Sequence, residues 1–248
     1  MSGDVGSQYT PTAGWAQAIT YHRDTLGDRT WDGAIAVTLG GDGSVATNGF
    51  WSALTIATTL KLPMLFYVED NHLGISVSGD MQTPGGNIAR NLASFGNLFI
   101  QDGDGTNPAD AATKIKACVD HVRAGHGPAL VHLTVPRLSS HSGPDNQKGY
   151  RTDAEIAADF ERDPLPRLKR FLVPSRMTEG EWAELEGDVG HGRRDRRFER
   201  QTVERREQQP LWRAAAALIH APFWYRTAVP SGFLDLGATA SSRCDARR

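Results

Sequence analysis

The chain has 248 residues, 39% hydrophobic and 23% charged, with a formal net charge of −2 at pH 7. That length suits one sizeable core, with or without a small appendage, and so balanced a charge gives no general attraction to nucleic acid, a membrane surface or an acidic polymer. Its two cysteines, Cys118 and Cys244, lie too far apart for a disulfide framework or a zinc site, which points to a reducing, cytoplasmic setting. No apolar run reaches the roughly 20 residues of a spanning helix. The start, Met1 to Val5, lacks the basic-then-apolar order of an export signal.

The run Ala34 to Leu39 (AIAVTL) predicts a short buried strand, and Gly40 to Gly43 (GGDG) turns it toward a helix starting near Asn48. Pro63 to Asp70 (PMLFYVED) predicts a second strand ending on the polar pair Asn71-His72. Strand, helix, strand implies parallel pairing. Asn87 to Phe95 reads as a short helix and Leu98 to Gln101 as a strand that ends in the turn-rich Asp102 to Gly105. Asn107 as N-cap and Pro108 at the first helical position open a helix with Ile115, Cys118, Val119 and Val122 at helical spacing, stopped by Gly125 and Gly127. His121 and His126 fall at its end. Ala129 to Val135 is the next strand, followed by a polar loop from Arg137 to Tyr150. Thr152 with Glu155, and Thr178 with Glu181, match capping boxes that open helices running to about Glu186. The repeated β-α-β order predicts an α/β fold with a doubly wound, mostly parallel sheet and a helical extension. We divide it into an α/β domain over 1–175 and a helix with an arginine-rich tail over 176–248.

Beyond Glu186 every basic residue is Arg, and GHGRRDRRFERQTVERREQQP is followed by sequence with no regular period. One account is a basic tail that touches RNA or a protein partner. The other is a frameshifted translation of a GC-rich gene, which yields arginine-rich, lysine-free sequence.

Asp42 can give a carboxylate to Mg²⁺, an ion that seeks oxygen ligands in octahedral order and is held by one or two protein groups plus phosphate oxygens. Gly41 and Gly43 let backbone approach a diphosphate, and amides at the following helix start help to offset its charge. Asn71, at the end of the next strand, can give an amide oxygen. Both positions fall at carboxyl ends of parallel strands, where open α/β sheets bind ligands. A lone Gly-Asp-Gly is more often only a loop. Here Asn71 follows 29 positions after Asp42 across a helix and a strand, in GDGSVATNGFWSALTIATTLKLPMLFYVEDN. That pattern resembles the thiamine diphosphate motif, except that Asp70-Asn71 stands where Asn-Asn is usual.

LPMLFYVEDNHLGISV and VPRLSSHSGPDNQKGYRT resemble the α subunit of 2-oxo acid dehydrogenase E1 components of branched-chain, pyruvate or acetoin type. The resemblance implies thiamine diphosphate and Mg²⁺ as cofactors, with Asp42, Asn71 and the Leu73 carbonyl on the metal. It implies Gly41, Gly43 and Ser44 beside the diphosphate, Arg137 on its oxygens, and His141 contacting the cofactor and assisting acyl transfer. Ser142 matches a position that kinases modify in some relatives. His141 alone would read as an exposed loop histidine, and His72 as a loop residue. GSQYTPTAGWAQA, Gly6 to Ala18, resembles a further E1 α stretch and adds Gln8, with Val5 and Ser7, as cofactor-side candidates, or simply as helix-capping residues. The implied reaction is decarboxylation of a 2-oxo acid with acyl transfer to a lipoyl domain of an E2 acyltransferase. An E1 β-type subunit would join in a heterotetramer and supply the glutamate that activates the aminopyrimidine; neither nucleic acid nor membrane is a partner. Relatives carry a long segment before Gly6, so the resemblance also fits an N-terminally truncated chain, and a non-catalytic remnant is the alternative. A dinucleotide site would need G-x-G-x-x-G, which GGDGSV does not supply.

Overall fold

The computed structural model describes residues 4–192. Helix α1 (Tyr9–Thr20) leads through a wider turn to strand β1 (Ala36–Gly41), then α2 (Asp42–Val45) and α3 (Asn48–Leu60). Strand β2 (Met64–Asp70) follows, then the small ribbon β3 (Leu73–Gly74) and β4 (Val77–Ser78), then α4 (Ile88–Asn91) and β5 (Phe99–Asp104). Helix α5 (Pro108–Arg123) crosses back to β6 (Ala129–Thr134), and α6 (Asp153–Glu161), α7 (Pro164–Leu172) and α8 (Glu179–Gly192) complete the described chain. No described helix is long and apolar enough to cross a membrane.

Four strands form one sheet in the order β1-β2-β6-β5, every neighbour parallel. Both faces are covered, which is why the central strands read as almost unbroken apolar runs. Met64, Phe66 and Val68 face the layer of α1, α3 and α4, while Leu65 and Tyr67 face α5. On the first face the rings of Tyr9, Phe50 and Phe66 meet at centroid distances of 5.2–6.2 Å and fix α1 and α3 onto β2. On the second, Cys118 is fully buried and burial pushes its thiol up to about 12, so it packs as a small apolar group.

The structure moves several expected boundaries. Gly40 and Gly41 belong to β1, paired with Val68 and Glu69, so the turn starts at Asp42. Asp102 to Asp104 were expected in a turn; they extend β5 because Asp102, Gly103 and Asp104 pair with His132, Leu133 and Thr134. The helix expected over 87–95 is limited to Ile88–Asn91, with the Asn87 side chain accepting from the Arg90 amide. Both capping boxes form, at Thr152–Glu155 and Thr178–Glu181. Between them α7 was not expected; its signals are Asp163, which accepts from the Leu165 amide, and Pro164 at the first position. Cys244 and the arginine-rich run, with the two accounts of it, lie outside the described residues.

Candidate cofactor site

Strands β1 and β2 run in register from Ala36 with Met64 to Gly41 with Glu69, so Asp42 leaves the sheet beside Asp70. Asp42 is 6% exposed, and its Oδ2 has no hydrogen-bond partner among the described residues. Burial first, and then the charge of Asp70, push its carboxyl up to about 6. A buried carboxylate oxygen without a donor is costly unless something else neutralises it. A hard cation would do so.

The second half of the site touches the first at Gly43. A Cβ placed there would lie 3.3 Å from the Gly74 Cα and 2.8 Å from Gln82 Oε1, so a side chain would displace the Gln82 amide and press the two loops apart. Gly41 would bring a Cβ 3.5 Å from the Glu69 carbonyl oxygen, an ordinary contact. Asn71 is half-buried, and its Oδ1 accepts from the Leu73 amide at 3.0 Å, shaping a tight turn. Asp70 Oδ1 accepts from the His72 amide at 2.7 Å within the same turn, and His72 and Ile75 take left-handed backbone at φ 60° and 59°. The His72 ring is exposed, as expected of a loop residue. The amide oxygen of Asn71 and the carbonyl of Leu73 are thus presented by a hydrogen-bonded loop beside the Asp42 turn.

Behind that loop is a cluster that the sequence reading missed. His132 on β6 is 1% exposed; its Nε2 lies 2.8 Å from Asp70 Oδ2 and its Nδ1 2.7 Å from Asp102 Oδ1. Burial alone would lower the imidazole; the hydrogen bonds to Asp70 and Asp102 outweigh it, and the ring is held above its ordinary value. Burial would likewise raise Asp70, but the donors His132 and His72 prevail and hold it below the usual carboxylate range. The available signal was a single ionisable residue in the run ALVHLT, which when buried needs a partner on a neighbouring strand.

The N-terminal turn braces the site from the other side. Gln8 Nε2 donates to the Leu39 carbonyl at 3.1 Å, and its side chain makes no capping hydrogen bond to α1. Ser44 Oγ donates to the Gly41 carbonyl at 2.6 Å, so its 2.6 Å contact with Tyr9 has the tyrosine hydroxyl as donor. Gly40 leaves room for that pair: a Cβ would sit 2.3 Å from the Tyr9 hydroxyl and 2.4 Å from Ser44 Oγ. Val5 is exposed and Ser7 half-buried.

Arg137, after β6, is buried at 5% exposure and its guanidinium is engaged by the protein. Nη1 donates to the Ile75 carbonyl, and Nη2 donates to Asp145 at 3.2 Å and to the Tyr150 hydroxyl at 2.7 Å. Tyr150 donates in turn to Asp145 at 2.7 Å. That bond first, the His141 amide second and the Arg137 charge hold the Asp145 carboxyl below the usual range. Through Ile75 the residues brought near the Asn71 turn include Arg137. His141 differs: its backbone amide is tied to Asp145 at 2.8 Å, while its side chain, like that of Ser142, is exposed.

A family model described as dehydrogenase E1 component matches residues 1–188. The chain is 30% identical over 169 residues to pyruvate dehydrogenase E1 component subunit alpha of Staphylococcus aureus, covering 68% of this chain and 43% of that protein. It is 27% identical over 184 residues to 3-methyl-2-oxobutanoate dehydrogenase subunit alpha of Mycobacterium tuberculosis, covering 74% and 47%. The chain therefore spans less than half the length of these curated relatives. Among solved structures, transketolase from Leishmania mexicana gives a TM-score of 0.46 at 20% identity over 66% of this chain and 25% of that one. Transketolase from Campylobacter jejuni gives 0.48 at 16% identity over 74% and 33%. The family model covers well over half of the chain and includes both the Asp42 turn and the Asn71 loop, so this chain belongs to the dehydrogenase E1 component family.

Proposed function

We propose that the chain forms the α part of a 2-oxo acid dehydrogenase E1 component and holds thiamine diphosphate through Mg²⁺. The observation that carries this is the buried, unpartnered Asp42 Oδ2 beside the Gly43–Gly74 junction, at the carboxyl ends of two parallel strands. Asp42 gives the ion its one carboxylate, Asn71 the lone pair of Oδ1 not used by Leu73, and Leu73 its carbonyl. Gly41 and Gly43 bring backbone close to the diphosphate. Ser44 and Gln8 act from behind, fixing the Gly41 and Leu39 carbonyls. Arg137 supplies permanent positive charge toward diphosphate oxygens; to do so, its Nη2 must share or release Asp145. His141, on an exposed loop, is free to move a proton near the acyl-transfer step. When bound, thiamine diphosphate supplies the electron sink for decarboxylation of the 2-oxo acid.

An E1 β-type subunit completes the assembly, and the lipoyl domain of an E2 acyltransferase takes the acyl group, in a cytoplasmic setting. The test is reconstitution of the full chain with an E1 β-type subunit, Mg²⁺, thiamine diphosphate and a lipoyl domain, offered pyruvate or branched-chain 2-oxo acids. Release of CO₂ with acylation of the lipoyl domain is the expected result. A chain that binds no cofactor and releases no CO₂ is the non-catalytic remnant instead.

A further inference from the structure

Asp70, His132 and Asp102 stand on three adjacent strands, and the pairing dictates their meeting. His132 is opposite Val68 on β2 and opposite Asp102 on β5. Asp70 is two residues beyond Val68, so its side chain returns to the same face of the sheet as His132. The imidazole therefore spans from Asp102 at 2.7 Å to Asp70 at 2.8 Å across the carboxyl end of the sheet. Each ring nitrogen faces a carboxyl oxygen, and the two hydrogen bonds outweigh burial in favouring the protonated ring, which can donate at both ends. Its far end is anchored as well, because Asn87 Nδ2 donates to the other Asp102 oxygen at 3.1 Å.

The near end does not stop at Asp70. With Oδ2 held by His132, Asp70 is oriented so that Oδ1 accepts from the His72 amide at 2.7 Å. That bond pins the left-handed residue inside the turn that carries Asn71 and Leu73. We propose that His132, anchored by Asp102, is a positioning residue for the metal-bearing turn: through Asp70 it fixes the geometry of the Asn71 and Leu73 oxygens. Groups behind the ligands of a metal typically alter affinity about 10–100-fold when removed.

This rests on the cofactor reading above, and the test separates the two. The wild-type chain, His132→Gln and Asp102→Ala are compared in two ways: Mg²⁺-dependent thiamine diphosphate binding by calorimetry, with and without an E1 β-type subunit, and hydrogen exchange of individual backbone amides by NMR without any cofactor. Asp102 is 37% exposed, so Asp102→Ala serves if His132→Gln fails to fold. Expected are an affinity loss of about tenfold or more, and faster exchange at the His72 and Leu73 amides with the Val68 amide unchanged. Asp102→Asn, which keeps an oxygen for His132 Nδ1 but sets an amide N–H against Asn87 Nδ2, should fall between Asp102→Ala and wild type in both. Exchange at His72 and Leu73 that is unaltered, or that rises equally at every amide, overturns the positioning role. Wild type that binds no thiamine diphosphate even with an E1 β-type subunit present overturns the cofactor reading alone, and the exchange pattern still decides the role of His132.

Discussion

Without a cation beside it, Asp42 costs the fold stability in a pH-dependent way. Its folded value of about 6 stands above the ordinary 3.8, so the fold favours the protonated form. The penalty is absent below 3.8, grows as pH rises through the folded value, and is complete above about 6. The shift corresponds to at most about 3 kcal/mol. Asp42→Asn should therefore raise the melting temperature of the cofactor-free chain at pH 8 and leave it nearly unchanged at pH 3.5, measured by calorimetric scanning. An equal change at both would mean that the side chain is not buried as an anion. At this scale the sequence was informative wherever a candidate residue belongs to a local pattern: the glycines around Asp42 and the fixed spacing to Asn71 both precede any knowledge of the fold. His132 and Asp102 belong to no such pattern. Their partnership depends on the register of three strands whose residues lie 30 and 62 positions apart.

At the scale of elements, the imidazole bridge ties β5, β6 and β2 together, and its stability has a direction with pH. The two carboxylates hold His132 above its ordinary 6.5 against the pull of burial, so the contribution is fully present below 6.5 and drains as pH rises through the folded value. His132→Gln should then lower the melting temperature more at pH 6 than at pH 9; a larger loss at pH 9 would contradict the charged bridge. Farther along the chain, Thr152 and Glu155 exchange hydrogen bonds at the start of α6. Thr152→Ala should cost about 1 kcal/mol in denaturant unfolding, with no change in cofactor binding. Capping boxes are legible because both partners lie within one turn. The turn-rich appearance of Asp102 to Gly105 misled for the converse reason: β5 continues to Asp104 because β6 offers a ladder, and no residue of the DGDG run records that neighbour.

At the scale of the whole molecule, the alternation of apolar runs and capped helices was enough for a parallel sheet covered on both faces. The strand order β1-β2-β6-β5 was not, since it depends on how α5 crosses the sheet. The chain carries the Asp42 turn, the Asn71 loop and the Arg137 loop on one end of that sheet, in less than half the length of its curated relatives. Whether those three pieces form a cofactor site is decided by titrating the full chain with thiamine diphosphate, with and without Mg²⁺ and an E1 β-type subunit, in wild type and Asp42→Ala. Saturable binding that requires Mg²⁺ and disappears in Asp42→Ala is the predicted result; binding that is indifferent to either the ion or Asp42 would contradict the clamp.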